Sequence, residues 1–327
     1  MKKIIILSGK GGVGKTTISA ATAVKISEMV DDNIMVVSFD IAHNLSDIFG
    51  KKIGDKETQI TDNLWAIEPD PEHYVQAYTK RAFDLFRESI FDLVLPRMMP
   101  SLKNLFETLM RPENLPLQAK TSAFFHVFLN EQDKYEYILG DFPPTGSTLN
   151  LFEVPMFFMD DLMKFAMSFK TPLVLTYEGI RRILNPTKLF SATSPFQQLI
   201  NEVKKIQGYV DRVNKTLKEH LSLRLVTIPE KAAVNETIRS IDDLRKFYEV
   251  DAIYINKIIE HADSPFLKEV QKNQQQRIKE IEAALPNKPI WKIPQLPHEP
   301  IDLDGLREIA NQIYPNFTLD QILTPQR

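Results

Sequence analysis

The run Gly9-Lys10-Gly11-Gly12-Val13-Gly14-Lys15-Thr16-Thr17, directly behind the apolar stretch Ile4-Ile5-Ile6-Leu7, constrains this chain more than any other feature. The β-branched stretch reads as a strand, and a helical pattern over 19–29 follows the glycines. Strand, glycine-rich turn and helix in that order make a phosphate-binding loop. The glycines let successive backbone N–H groups turn inward around a polyphosphate. Lys15 can then reach the β- and γ-phosphates, and the Thr16 hydroxyl is placed to ligate Mg²⁺. The implied ligand is a nucleoside triphosphate, bound by Gly11, Gly12, Val13, Gly14, Lys15, Thr16 and Thr17.

Short apolar, β-branched runs recur at 34–39, 137–141, 223–228, 252–256 and 289–293. Such runs suit strands buried on both faces of a parallel sheet, and helical patterns lie between them. The expected fold is therefore α/β, a P-loop NTPase domain over 1–327 with a mostly parallel central sheet flanked by helices. Two intervals, about 71–133 and 150–220, are too long to be crossovers and carry helical patterns broken by prolines. They are expected to assemble into one helical subdomain.

Two aspartates fall at the ends of these strands, the sheet edge where ligands bind in open α/β folds. Asp40 follows the strand over 34–39 and can orient the attacking water. Asp141 ends the strand over 137–141 and suits a water-mediated contact to Mg²⁺. His43 and His298 lie near these motifs without an evident partner in the sequence, so structural roles are expected for both.

Composition narrows the classes further. A net charge of −3 over 327 residues gives no basic bias toward nucleic acid. The complete lack of cysteine removes disulfides, thiolate zinc sites and iron–sulfur ligation. The apolar run at 4–7 is too short for a signal-peptide core, and no uncharged apolar stretch approaches the roughly 18 residues that span a bilayer. A cytoplasmic location is expected.

The loop G-K-G-G-V-G-K-T-T resembles the deviant Walker A loop of a class that includes the partition ATPases, the nitrogenase iron protein, and the arsenite-pump and tail-anchored-protein targeting ATPases. Three further stretches resemble the last two alone. Asp40-Ile41-Ala42-His43-Asn44-Leu45-Ser46-Asp47 is similar to their switch I sequence D-P-A-H-N-L-S-D. Asp141-Phe142-Pro143-Pro144-Thr145-Gly146-Ser147-Thr148 is similar to switch II, D-T-A-P-T-G-H-T, and 293–299 to the adenine loop L-P-L-L-P-H-E. The departures are Ile41, Phe142, Pro143 and Ser147. The resemblance implies a homodimeric Mg²⁺-dependent ATPase. Lys10 would reach the partner subunit's nucleotide, Asp40, Lys10 and Lys15 would act in hydrolysis, and Thr16 and Asp141 would serve Mg²⁺. Asn256 and Pro294 would meet the adenine.

Within that family the sequence favours targeting, with hydrophobic transmembrane helices as clients and a membrane receptor as a further partner. Seven of the ten methionines lie between Met98 and Met167. In a helix over 156–169, Met156, Met159, Met163 and Met167 would form one stripe, with Phe158, Leu162, Phe165 and Phe169 beside it. That apolar arc is about twice the roughly 100° that an ordinary core-facing helix needs. Flexible methionine suits re-packing against varied apolar partners, and taken with the resemblance to the targeting ATPases this implies Met156, Met159, Met163, Phe165 and Met167 as the client contacts. The same stripes would also suit the interior of the subdomain or a dimer contact. The rival functions are an arsenite-pump ATPase, which the missing thiolates disfavour, and a partition-type organiser, for which no basic tract is evident.

Overall fold

A computed structural model describes residues 3–39, 45–70, 134–142 and 215–325, together with 201, 204, 208, 211 and 212. The chain divides into two compact units. One comprises Met1–Pro69, Leu129–Leu149 and Thr216–Arg327, and the other Asp70–Phe128 and Asn150–Lys215. The architecture below is that of the first unit.

Eight strands form one sheet: β1 (Lys3–Ser8), β2 (Ile34–Ser38), β3 (Thr58–Gln59), β4 (Leu64–Ile67), β5 (Tyr137–Asp141), β6 (Leu221–Thr227), β7 (Val250–Ile258) and β8 (Ile290–Pro294). Their spatial order is β3-β4-β2-β5-β1-β6-β7-β8. Every pairing is parallel except that of the short edge strand β3 with β4. All five residues of β2 and of β5 are buried, which explains why these segments carry apolar residues without alternation. The helices are α1 (Lys15–Ser27), α2 (Leu45–Phe49), α3 (Lys231–Leu244), α4 (Pro265–Ala284), α5 (Asp302–Ile313) and α6 (Leu319–Leu323). The α/β fold, mostly parallel sheet and flanking helices match the expectation from sequence.

Chain order runs from β1 toward β2 on one side and through β6, β7 and β8 on the other, so β1 stands at a topological switch point. Its two faces serve different layers: Ile5 and Leu7 join the core that α1 and α5 cover. Helix α1 is buried along almost its whole length, against β2, β5 and α5. The small residues Ser19, Ala20, Ala21, Thr22 and Ala23 permit this close approach. Helix α4 begins more conventionally, with Pro265 in its first turn and the Ser264 side chain accepting from the Leu267 N–H at 3.2 Å.

A buried polar chain ties the C-terminus to α1. Arg224 of β6 is fully buried and donates to the carbonyl oxygens of Ile322 and Leu323, at the end of α6. Those carbonyls are the negative pole of that helix. The guanidinium also lies 5.4 Å from the Trp291 ring centroid and donates to Tyr254 Oη at 2.9 Å. Tyr254 Oη is 2.6 Å from Tyr314 Oη, which is 2.8 Å from Thr22 Oγ1, and Thr22 donates to the Ile18 carbonyl. Each hydroxyl has one proton, so the direction of the chain is fixed. It runs from Arg224 through Tyr254, Tyr314 and Thr22 to the backbone of α1.

Candidate nucleotide site

The loop between β1 and α1 is shaped by two close approaches. At Gly9 a Cβ would stand 2.0 Å from the Val226 carbonyl oxygen, so the end of β1 can pass β6 only without a side chain. Gly14 has φ +97° and a Cβ there would lie 2.4 Å from Asn256 Nδ2. Helix α1 starts at the next residue, which brings its N-terminal N–H groups to the loop. Lys15, only 4 % exposed, turns back so that Nζ donates to the Lys10 carbonyl at 3.2 Å. An ammonium held across the mouth of the loop is where a phosphate would meet it.

Strand register assembles the polar floor. Asp141 lies beside Leu7 on one neighbour and Ser38 on the other, so three parallel strands end together. The fully buried Asp141 accepts at Oδ2 from Thr16 Oγ1 at 2.7 Å and from Ser38 Oγ at 3.1 Å. Ser38 was not expected from sequence, where it reads as the polar end of a strand. Phe142, which stands where the resembling switch II has threonine, packs edge to face on Phe39 at 5.0 Å between centroids. Gly140 leaves the room this ring needs, since a Cβ there would be 2.9 Å from Phe142 Cε1.

The opposite wall comes from the ends of β7 and β8. Asn256 is buried, donates from Nδ2 to the Val13 carbonyl at 2.9 Å and accepts at Oδ1 from the Lys257 N–H at 2.9 Å. Lys257 has φ +60° and donates from Nζ to the Gly12 carbonyl at 3.2 Å. Gln295, just past β8, is tied back to β7 by its N–H on the Ile258 carbonyl at 2.8 Å. His298 does have a partner: its Nε2 lies 3.1 Å from Glu308 Oε2 on α5.

Gly12, Gly14, Lys15, Thr16, Thr17, Asn256 and Pro294 line one cavity of about 560 Å³. Val13 and Asp141 stand one hydrogen bond behind it, through Asn256 and Thr16. Gly11 and Lys10 complete the loop. Asp40, His43 and the client residues Met156, Met159, Met163, Phe165 and Met167 lie outside the described residues, as do Pro143 and Ser147.

The comparisons with known proteins decide the family. Residues 2–315 match the model of the anion-transporting ATPases. The chain belongs to this family. Among its relatives is a "Putative arsenical pump-driving ATPase" of Chlorobaculum tepidum, 29 % identical over 95 % of this chain and 75 % of that protein. The ATPase get3 of Schizosaccharomyces pombe is 27 % identical over 95 % of this chain and 91 % of its own length. An ATPase ASNA1 homolog of Plasmodium falciparum is 31 % identical over 80 % of this chain and 64 % of its own length.

As an ATPase of this family the protein uses ATP and Mg²⁺, and the residues present fit both. The cavity has the volume of a typical small-ligand site. Thr16 Oγ1 beside the Asp141 carboxylate offers the oxygen donors that Mg²⁺ prefers. Among the described residues no group of three or more His, Cys, Asp or Glu is placed to hold a further metal ion. Nor, among them, is any helix long and apolar enough to cross a membrane.

Proposed function

We propose that this ATPase acts as a cytoplasmic homodimer that captures and releases the transmembrane helices of tail-anchored membrane proteins. The observation that carries this choice within the family is chemical. The chain has no cysteine, and As(III), like soft metals, calls for thiolates. The segment over 156–169 is instead rich in methionine and phenylalanine, side chains whose chemistry suits an apolar client. A helix of that length would extend about 21 Å, whereas a client of about 20 residues is roughly 30 Å long. One subunit's face is too short, and two faces brought together would cover the client. That supports a dimer whose closure depends on nucleotide.

In this reading Lys15 and the loop N–H groups hold the phosphates, and Asp40 orients the attacking water. Thr16, and Asp141 through a water, would hold Mg²⁺, which would supply positive charge beside the transferring phosphoryl group. Lys10 adds a cation to the partner subunit's nucleotide, which links turnover to dimer closure. Asn256 has one N–H and one oxygen lone pair beyond those used in the fold, the complement of the adenine edge. Pro294 borders the base.

Co-expression with a tail-anchored protein, followed by purification in ATP or ADP, tests the assignment. Recovery of the client with the ATP-held Asp40→Asn form, lost when charges interrupt the client's helix, supports it. Arsenite-stimulated turnover with no client recovered in either nucleotide contradicts it and favours the pump-driving alternative.

A further inference from the structure

Two consecutive residues at the end of β7 hold two consecutive carbonyls of the phosphate loop. Asn256 Nδ2 donates to the Val13 carbonyl and Lys257 Nζ to the Gly12 carbonyl. The Gly12 carbonyl shares its peptide plane with the Val13 N–H, and the Val13 carbonyl shares its plane with the Gly14 N–H. In a trans peptide the C=O and N–H point to opposite sides. Drawing both carbonyls toward β7 therefore turns both N–H groups away from β7, leaving them for a ligand on the other side of the loop.

The fold spends conformational freedom to achieve this. Lysine rarely adopts the left-handed region that Lys257 occupies at φ +60°. The ladder between β7 and β8 is irregular at this point, between Ile255 and Ile258. Side chains hold both ends of the residue's backbone. Its N–H is bound by Asn256 Oδ1, and its carbonyl accepts from Gln274 Nε2 at 3.0 Å. Gln274 of α4 also accepts from the Ile259 N–H at 2.9 Å, so α4 braces the bend. In that conformation the ammonium comes to the Gly12 carbonyl at the rim of the nucleotide cavity.

We propose that Asn256 and Lys257 form a carbonyl clamp that preorganises the phosphate loop for polyphosphate, whatever base the ligand carries. A residue that only read adenine would leave a base-free polyphosphate unaffected. The clamp rests on the family's ATPase chemistry and is independent of the client assignment. Asn256 and Lys257 act here as positioning residues, through the N–H groups of Val13 and Gly14.

The test compares the full-length wild type with Asn256→Ala and Lys257→Asn. Asparagine is tolerated at positive φ and is too short to reach Gly12, so the second variant keeps the bend while removing the contact. Calorimetry with Mg·ATP and with Mg·tripolyphosphate gives affinities. Hydrogen exchange of the 9–17 segment in the nucleotide-free protein reads the loop directly, where a lost lysine-to-phosphate contact has no effect. The clamp predicts that each variant weakens both ligands by about two- to tenfold, the size of one ordinary hydrogen bond. It also predicts faster exchange in the loop. Tripolyphosphate binding and loop exchange at wild-type values, with ATP alone weakened, would overturn it. Wild type that bound neither ligand would instead count against the ATP site itself.

Discussion

Gly14→Ala perturbs the site at its tightest point. The new Cβ would stand 2.4 Å from Asn256 Nδ2, so the amide must leave. Its departure breaks two hydrogen bonds, to the Val13 carbonyl and from the Lys257 N–H, at about 1 kcal/mol each. A non-glycine residue at φ +97° adds about 1–2 kcal/mol of backbone strain. The total is about 3–4 kcal/mol. If the loop relaxes to relieve it, the Val13 and Gly14 N–H groups lose their orientation away from β7, and the cost moves into nucleotide binding. It then amounts to a loss of about two to three orders of magnitude in affinity. Titration with a fluorescent ATP analogue in Mg²⁺ measures that share, and denaturant midpoints without nucleotide measure the share retained as lost stability. Because Gly14→Ala and Asn256→Ala remove the same bonds, their double variant should cost less than the sum of the singles. Wild-type affinity and wild-type stability together in Gly14→Ala would refute the steric reasoning.

Asp40→Asn should bind ATP normally yet turn over about 10²- to 10⁴-fold more slowly, in single-turnover assays, because the water loses its orienting carboxylate. Arg224→Ala should lower the unfolding free energy by about 3–5 kcal/mol in urea titrations, since it opens a cavity and removes the donor to Tyr254 Oη and to the last carbonyls of α6. A loss below about 1 kcal/mol would mean that the C-terminal tie adds no stability. Burial raises the Tyr314 phenol well above the ordinary tyrosine value of 10.0, with Tyr254 adding to the rise and Arg224 opposing it. The folded protein thus keeps a proton that the unfolded chain has lost. Stability fully present below about pH 10 should fall as pH rises above it, and the fall should be shallower in Tyr314→Phe, by difference of urea midpoints.

The phosphate loop and the central strands were legible because their signals are local. A strand buried on both faces tends to be apolar throughout, and β2 and β5 declare themselves that way, while β6, β7 and the partly buried edge strand β8 show through shorter apolar runs. The edge pair β3 and β4 did not, since two and four residues between polar turns carry too little periodicity. The site was legible wherever a motif was contiguous. Ser38 was missed because its meaning depends on Asp141, which is 103 residues away and joined only by strand register. Lys257 was missed for the same reason: its contact with Gly12 spans 245 residues and requires a backbone bend that lysine does not signal. Asn256 came from family resemblance alone, and its hold on Val13 is tertiary. Arg224 reads in sequence as a charge interrupting an apolar strand, because its partners are carbonyls near the far end of the chain.

The central claim, that nucleotide state controls capture of an apolar helix, is tested most directly by fluorescence anisotropy. The probe is a labelled apolar helical peptide of about 20 residues, the length that spans a bilayer. It is titrated with Asp40→Asn in Mg·ATP, with wild type in Mg·ADP, and with a Met159→Ser, Met163→Ser, Phe165→Ser variant in Mg·ATP. The account predicts saturable binding to the ATP-held protein, at least tenfold weaker binding in ADP, and loss of binding in the triple variant while its dimerisation persists. Equal binding in ATP and ADP, or undiminished binding by a folded triple variant, would contradict it.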